Sequence, residues 1–226
     1  MISVIIPTLN EEHYLPLLLE DLKKQSMRVK EIIVVDAGSK DSTIKSAKAW
    51  GAKVLISKVK NAGIQRNLGA RSAKGDWLLF IDADMRLPKR DLLKHMLNIN
   101  KDALVVRPKT TLQTPSWAYL FFVAPANFIA TVIPSLSTRG GCMMVKRSAF
   151  SKVGGFNPAL AVAEDIDLGR RLAKEGKTVI LNEYVYESDR RYKKWGYLKT
   201  AGLWWLNGIW MFLFKRSWTQ FWTPVR

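Results

Sequence analysis

Two aspartates separated by one residue follow an apolar run in the first half of the chain. They are Asp82 and Asp84, and residues 77–81 before them read Trp-Leu-Leu-Phe-Ile. Two carboxylates at the end of a buried strand supply hard oxygen ligands and leave coordination positions open for phosphate oxygens, which suits Mg²⁺ or Mn²⁺. Only one cysteine and two histidines are present, which excludes a His- or Cys-rich zinc site. A solvated turn is the alternative interpretation of an isolated Asp-x-Asp pair.

Two further polar clusters follow or begin predicted elements. Asp36 ends the apolar run Glu31–Asp36, and residues 37–43 suit either a binding loop or the cap of a helix. Arg66 and Asn67 lie near the start of a predicted helix, where a guanidinium and backbone N–H groups favour a diphosphate. Each cluster is weak evidence by itself.

A third cluster combines a glycine turn with an acidic pair. Gly154-Gly155-Phe156 precedes Glu164-Asp165, and two arginines follow at 170 and 171. The helix macrodipole favours carboxylates in a first turn and arginines in a last turn, so an ordinary helix would show the same pattern. The cluster gains meaning from its position after the Asp-x-Asp segment.

The elements that must position these residues alternate between strands and helices. Short apolar runs alternate with segments of helical periodicity, which predicts βαβ units and an α/β fold with a mostly parallel sheet. Ligand sites in such sheets lie beyond the carboxyl ends of the strands, so Asp82 and Asp84 are expected to project into that crevice. The predicted strands are 2–7, 31–36, 54–56, 77–82 and 103–106. One predicted helix begins near residue 11, and two others cover 61–73 and 88–98.

Composition limits the class of protein. At 226 residues, with 48% hydrophobic and 24% charged residues, the chain is expected to form one packed core, and wholesale disorder is excluded. The net charge of +17 favours an anionic partner, which leaves phosphorylated substrates, nucleic acid and an acidic membrane surface open. Cys142 is alone and cannot form an internal disulfide, which indicates a reducing cytoplasmic setting. The N-terminus lacks the pattern of a secretory signal.

A long uncharged segment interrupts the alternating pattern. No charged residue occurs between Lys109 and Arg139, and residues 117–136 are long enough to meet the criterion for a membrane span. Pro125 and Pro134 favour a kinked or interfacial segment over a straight span. The segment predicts a membrane-associated insert at about 110–138, with a buried core helix as the alternative.

The C-terminus carries a second apolar segment. Six of the nine tryptophans lie in the last 32 residues, which is typical of the aromatic belts of membrane interfaces. We predict a Trp-rich membrane anchor over 200–226, spanning or interfacial, following a domain over 1–199. A dimerisation helix is the alternative.

The ordered motifs resemble the inverting family-two glycosyltransferases of the GT-A fold. The resemblance covers about 2–195 and rests on five motifs: Ser3–Glu11 (SVIIPTLNE), Val34–Ser39 (VVDAGS), Asp82-Ala-Asp84, Gly154-Gly-Phe156 and Glu164-Asp165. It implies a Rossmann-like sheet with flanking helices that binds a nucleotide-sugar donor.

The resemblance also implies roles for individual residues. Asp82 and Asp84 would flank or ligate Mn²⁺ or Mg²⁺ on the donor diphosphate. Glu164 and Asp165 would be the catalytic pair, with Asp165 as the general base. A sugar hydroxyl holds its proton tightly near neutral pH and must lose it as it attacks, so a base favours a hydroxyl acceptor. The implied nucleotide-binding residues are Pro7, Thr8, Glu11 and Asp36, to which Arg66 and Asp82 are added.

Residues at the boundary of the apolar segments resemble two membrane branches of the family. Arg191, Lys194 and Trp195 match the Gln-x-x-Arg-Trp motif of cellulose-synthase-like enzymes, with Arg in place of Gln and Lys in place of Arg. Arg107 and Arg139 resemble the arginines that receive the lipid phosphate in dolichyl-phosphate mannose synthases. All five are predicted to bind the acceptor or a phosphate, although a basic cluster touching anionic lipid would also explain those near 190–195.

These observations predict a membrane-associated, metal-dependent, inverting glycosyltransferase on the cytoplasmic face. Its predicted donor is GDP-mannose, and its predicted acceptor is linked to dolichyl or another polyprenyl phosphate. A UDP-sugar-dependent glucosyl or N-acetylhexosaminyl transferase acting on a lipid or polysaccharide is the alternative. A basic nucleic-acid-binding protein is the non-enzyme alternative, but the basic residues are spread along the chain, so a nucleic-acid partner is not expected.

Overall fold

A mixed sheet flanked by helices forms the centre of the molecule in a computed structural model that describes residues 1–99, 102–114, 121, 123–134 and 140–219. The strands of these residues are β1 (Ile2–Thr8), β2 (Glu31–Asp36), β3 (Lys53–Ile56), β4 (Trp77–Ile81), β5 (Met85–Arg86), β6 (Ala103–Leu112), β7 (Cys142–Lys146) and β8 (Lys177–Glu187). The helices are α1 (Leu15–Lys23), α2 (Thr43–Ala49), α3 (Ala62–Ser72), α4 (Leu92–Asn98), α5 (Ala124–Val132), α6 (Arg147–Lys152), α7 (Glu164–Ala173), α8 (Arg190–Trp195) and α9 (Tyr197–Phe214).

The sheet divides into a parallel part and a mixed part. Its strand order is β3-β2-β1-β4-β7-β6-β8-β5, and β1 pairs in parallel with both β2 and β4. β7 is antiparallel to both β4 and β6, while β8 is parallel to β6 and antiparallel to β5. The α/β fold is therefore confirmed, but the sheet is mixed. The prediction of a mostly parallel sheet was wrong for the second half, because β7 runs antiparallel between β4 and β6, and an apolar run does not reveal the direction of its strand.

The predicted elements of the first half agree closely with the observed ones. α3 begins after Asn61, whose side-chain oxygen accepts a hydrogen bond from the backbone N–H of Ile64 at 2.9 Å. α1 begins at Leu15, later than predicted, because Glu11 belongs to a loop in which its backbone N–H donates to Thr43 Oγ1 at 2.7 Å. β6 is longer than predicted and extends to Leu112, which places the start of the uncharged segment inside the sheet.

Two hydrophobic layers hold the sheet between its helices. One joins α1 and α4 to one face, and the other joins α3, α6 and α7 to the opposite face. α3 approaches β1 closely at Gly69, where an added Cβ would stand 2.5 Å from Ile5 Cγ2. This close approach fixes the position of the residues that α3 carries toward the carboxyl ends of the strands.

The apolar segments pack against the α/β domain. Within the described ranges, no helix is long and apolar enough to cross a membrane. α9 begins at Tyr197 and contacts α7 through a cluster that includes Ile166 and Met211. Of the uncharged insert, the described parts are the end of β6, residues 113–114, 121 and 123–134 with α5, while 115–120, 122 and 135–139 lie outside the described residues.

Candidate active site

A cavity of about 800 Å³ opens at the carboxyl ends of β1 and β4. One side of it, the charged half, is lined by Pro7, Thr8, Glu11, Arg66, Asp82, Asp84, Glu164, Asp165, Arg190 and Arg191. The other side, the apolar half, is lined by Ala126 and Ile129 of α5 and by Ala201, Trp204, Trp205, Gly208, Ile209 and Leu213 of α9. Nine of the predicted site residues therefore line one cavity, as expected for a ligand site beyond the carboxyl ends of the strands.

Arg66 joins the Asp-x-Asp motif to the acidic pair. Its guanidinium is buried, and its two terminal nitrogens donate to Asp82 Oδ1 and to Glu164 Oε1, each at 2.6 Å. The Nε of Arg66 is also buried and has no hydrogen-bond partner in the described structure. Because a buried charge must be compensated, this arginine fixes the relative position of the two acidic segments.

Arg190 makes a second connection, between the loop after β1 and the Asp-x-Asp motif. Its terminal nitrogens donate to the two carboxylate oxygens of Glu11 at 2.8 and 2.9 Å, and one of them lies 2.9 Å from Asp84 Oδ2. The guanidinium also stacks over the ring of Tyr14, 4.7 Å from its centroid. The sequence pattern places Arg190 only among the basic residues near 190–195, because its partner Glu11 is 179 positions away in the chain.

The carboxylates around Asp84 form a site with excess negative charge. Burial raises the pKa of Asp84 to about 7, and the nearby charges of Asp82, Glu11 and Glu187 add to this effect against the opposing charge of Arg190. Among the described residues, no group of three or more His, Cys, Asp and Glu side chains is arranged to hold a metal ion. The carboxylates of Asp82 and Asp84 are hard oxygen ligands of the type that Mg²⁺ and Mn²⁺ prefer, and a cation between them would offset the repulsion.

Asp165 is positioned by a strained backbone and by a glycine. Ala163, at the N-terminal cap of α7, has a φ of 62°, a left-handed conformation that costs a non-glycine residue energy and aims the next two side chains. A Cβ added at Gly140 would stand 2.5 Å from the Asp165 side chain. Burial raises the pKa of Asp165, while the charges of Arg107 and Arg66 oppose the rise. A carboxylate with a raised pKa that lines a cavity suits proton transfer.

Asp36 shapes the neighbouring loop instead of lining the cavity. The side chain is fully buried, and its oxygens accept hydrogen bonds from the hydroxyls of Thr8 and Ser39 and from the backbone N–H groups of Gly38 and Ser39. Gly38 has a φ of 88°, which a glycine adopts without strain. Direct contact of Asp36 with a nucleoside stays a prediction, and it would require this loop to open.

The residues predicted to bind the acceptor or a phosphate separate in the structure. Arg191 lines the cavity, and its guanidinium lies 4.8 Å from the centroid of the Trp195 ring. Lys194 is exposed, and neither it nor Trp195 lines the cavity. Arg107 is buried and does not line the cavity, but its charge acts on Asp165, which does. Arg139 lies outside the described residues.

Comparison with known proteins identifies the family. The family model described as Glycosyl transferase family 2 matches residues 3–154, which contain the loop after β1, Arg66 and the Asp-x-Asp motif. The chain belongs to glycosyl transferase family 2. The predicted family is thus confirmed, while the particular likeness to dolichyl-phosphate mannose synthases and the membrane association stay predictions.

Two curated relatives are longer than this chain. An uncharacterized glycosyltransferase of Haemophilus influenzae is 32% identical over 187 residues, which cover 77% of this chain and 63% of that protein. The chain therefore spans less than two thirds of the length of that curated relative, and the same share of a similar protein of Rickettsia typhi.

Solved structures share the fold. Staphylococcus aureus TarS 1–349 in complex with UDP superposes with a TM-score of 0.67 at 22% identity, covering 91% of this chain and 65% of that chain. A second structure is glucosyl-3-phosphoglycerate synthase from Mycobacterium tuberculosis in complex with Mn²⁺, UDP and glucosyl-3-phosphoglycerate. It gives a TM-score of 0.64 at 20% identity and covers 94% of this chain and 78% of that chain. Identities this low establish the GT-A-like fold alone.

Proposed function

We propose that this chain carries the catalytic domain of an inverting glycosyltransferase that uses a divalent metal ion and moves a sugar from a nucleoside diphosphate to a hydroxyl acceptor. The observation that carries the proposal is that the carboxylates suited to a cation, Asp82 and Asp84, and the carboxylate suited to a base, Asp165, line one cavity. Membership of family 2 supports it.

The donor is proposed to lie in the charged half. Pro7, Thr8 and Glu11 form the wall nearest β1, where the nucleoside is expected, and Asp82 and Asp84 would hold the cation near the diphosphate. A bound Mg²⁺ or Mn²⁺ supplies Lewis-acid stabilisation of the departing diphosphate. Arg66 and Arg190 add fixed positive charge on either side, and the buried Nε of Arg66 is a hydrogen-bond donor still to be satisfied.

Asp165 is proposed to take the proton of the acceptor hydroxyl. As that proton moves to the carboxylate, the hydroxyl oxygen forms a bond to the anomeric carbon, and the bond from that carbon to the diphosphate oxygen breaks with its electron pair. A single displacement of this kind inverts the anomeric configuration. Glu164 has a different part, because its side chain is engaged by Arg66 and so holds the start of α7 in place.

Two donors are compatible with this site. UDP is favoured because two neighbours in the fold comparison were solved with UDP, one of them together with Mn²⁺. GDP-mannose stays a prediction from the sequence, and none of the relatives or structures above supports it. The proposed acceptor is a hydroxyl carried by a lipid-linked molecule, with polyprenyl phosphate as the predicted carrier, at the cytoplasmic surface of a membrane.

Product analysis tests this function. The protein is incubated with Mn²⁺ and UDP-glucose, UDP-N-acetylglucosamine or GDP-mannose in the presence of octyl β-D-glucoside, and NMR follows the anomeric configuration of the product. We expect transfer with inversion by the native protein and loss of transfer by Asp165→Asn. Equal rates of nucleoside diphosphate release by the two proteins would contradict the role of Asp165, and a retained configuration would contradict a single displacement.

A further inference from the structure

One face of α9 belongs both to the cavity and to the outer surface. Trp205, Ile209 and Leu213 follow each other at intervals of four residues, so they lie along one side of the helix. All three line the cavity, yet their exposed fractions are 38%, 53% and 61%. We call these three residues the mouth stripe. An apolar wall therefore continues from the interior of the cavity to the solvent.

This wall is fixed to the catalytic helix. Gly208 faces α7, where an added Cβ would stand 3.8 Å from Ile166 Cδ1, one residue from Asp165. Beyond the end of α9, the hydroxyl of Ser217 donates to the carbonyl of Val162 at 2.7 Å and accepts from its N–H at 3.2 Å. The loop that precedes Asp165 and the C-terminal end of α9 thus hold each other, so the mouth stripe has a defined position relative to the base.

From this continuity we propose that the mouth stripe, with Ile129 of α5, is a subsite for the hydrocarbon chain of an amphiphilic acceptor. The inference rests on the proposed function, and it locates the apolar chain of the acceptor at named residues. A molecule that reaches Asp165 with a hydroxyl and leaves along the stripe must be polar at one end and apolar at the other. Burial of its chain against Trp205, Ile209 and Leu213 removes apolar surface of both partners from water.

The charges around the stripe agree with an amphiphile drawn from an anionic lipid surface. No charged residue occurs in the sequence between Lys199 and Lys215, and Arg216 follows directly. Basic side chains at both ends of an apolar helical face favour contact with anionic headgroups. The net charge of +17 acts in the same direction. A water-soluble sugar acceptor could stack on Trp205, but it would give no physical reason for the exposed aliphatic side chains of Ile209 and Leu213.

The chain offers a matched pair of positions for a test. Ile209 lines the cavity and is 53% exposed, whereas Leu206 of the same helix is 51% exposed and does not line the cavity. Ile209→Ser and Leu206→Ser therefore remove similar exposed apolar surface, and they differ in whether that surface faces the proposed chain. Ile209→Ala is the milder variant if Ile209→Ser unfolds.

The experiment measures binding of two probes by calorimetry, octyl β-D-glucoside below its micelle concentration and methyl β-D-glucoside, with UDP and Mn²⁺ present. Each buried methylene raises affinity about fourfold, so we expect the octyl probe to bind at least about tenfold more tightly. Ile209→Ser should remove most of this preference, and Leu206→Ser should leave it unchanged. In both variants the Kd for UDP with Mn²⁺ should stay within about twofold of the native value.

The other outcomes distinguish failure of the inference from failure of the proposed function. Equal affinity for the two probes, or an equal loss in both variants, would show that no chain subsite exists at the mouth stripe. If size-exclusion chromatography shows that both variants dissociate an oligomer while octyl binding is unchanged, the stripe is covered by a second copy of the chain. Failure of UDP and GDP to bind, with the octyl preference intact, would contradict the proposed function and leave the subsite standing.

Discussion

The two halves of the cavity are built on different physical principles. In the charged half, Arg66 and Arg190 each join two carboxylates at distances of 2.6 to 2.9 Å, so directional bonds set the positions of these four carboxylates. In the apolar half, aromatic and aliphatic side chains of α5 and α9 present mainly hydrocarbon surface to the cavity. The comparison teaches that ion pairs fix the geometry of the charged half, whereas the apolar half is shaped by the packing of two helices.

Replacing the proposed base should give the largest effect and shows whether chemistry resides in the charged half. Asp165→Asn is expected to lower kcat by about 10²- to 10⁴-fold, the usual contribution of a general base, with little change in the Kd for the donor. Asp167→Asn is a suitable control, since Asp167 is on the same helix and pairs with Arg171 outside the cavity. Kinetics and calorimetry on the two variants check this, and a similar loss in both would remove the special role of Asp165.

Breaking one of the arginine connections tests whether the charged half depends on them for stability. Arg66→Gln leaves Asp82 and Glu164 without their buried counter-charge, which is expected to lower the free energy of unfolding by about 3–5 kcal/mol. For a chain of this size that corresponds to a fall in Tm of about 10 °C. Lys24→Ala removes an exposed pair with Glu20 and should cost less than about 1 kcal/mol in the same thermal unfolding experiment.

A comparison of Arg190 with Lys194 tests whether the observed contacts or the motif match identifies the basic residue that matters for donor binding. Arg190→Gln releases Glu11 and Asp84, and the loss of charge-assisted hydrogen bonds should raise KM for the donor about 10- to 100-fold. Lys194→Gln should leave KM unchanged, because Lys194 is exposed and does not line the cavity. Initial rates at varied donor concentration measure both, and a larger effect at Lys194 would restore the assignment based on the motif.

The pH dependence of transfer should show a smaller effect. Burial raises the pKa of Asp165 in the folded protein, so its carboxylate becomes protonated at a higher pH than an exposed aspartate with a pKa of about 4. The base form is lost as the pH falls through this raised pKa, and kcat should then decline about tenfold per pH unit. Rates at saturating donor between pH 4 and 9 measure the profile, and a limb at the ordinary aspartate value would contradict the buried environment.

The charged half was largely predictable from the sequence, and the reasons are local. Asp82 and Asp84 follow a short apolar strand, and Arg66 follows the helix cap at Asn61, so each position depends on only a few neighbouring residues. The contact between Arg190 and Glu11 spans 179 positions and has no local pattern. The motif match selects Lys194 because it directly precedes Trp195. Lys194 lies four residues beyond Arg190, however, which places it about 6 Å further along the axis of α8 and outside the site.

The apolar half shows where sequence patterns are ambiguous. The run of uncharged residues in α9 is compatible with a core helix, an anchor or an interface, because hydrophobicity alone does not specify the neighbour. The contact of Gly208 with Ile166, and the bonds of Ser217 with Val162, turn that run into a wall of the cavity. Tertiary contacts of this kind cannot be derived from periodicity.

Calorimetric titration with UDP and with GDP, each with and without Mn²⁺, tests the central claim most directly when the native protein is compared with Asp84→Asn. We predict that UDP binds the native protein in the presence of Mn²⁺, more tightly than GDP, and that Asp84→Asn abolishes the metal-dependent part of the affinity. Preference for GDP would restore the GDP-mannose prediction within the same site. Absence of binding by both nucleotides, or binding that is the same with and without Mn²⁺ and in Asp84→Asn, would contradict a metal-assisted donor site at Asp82 and Asp84.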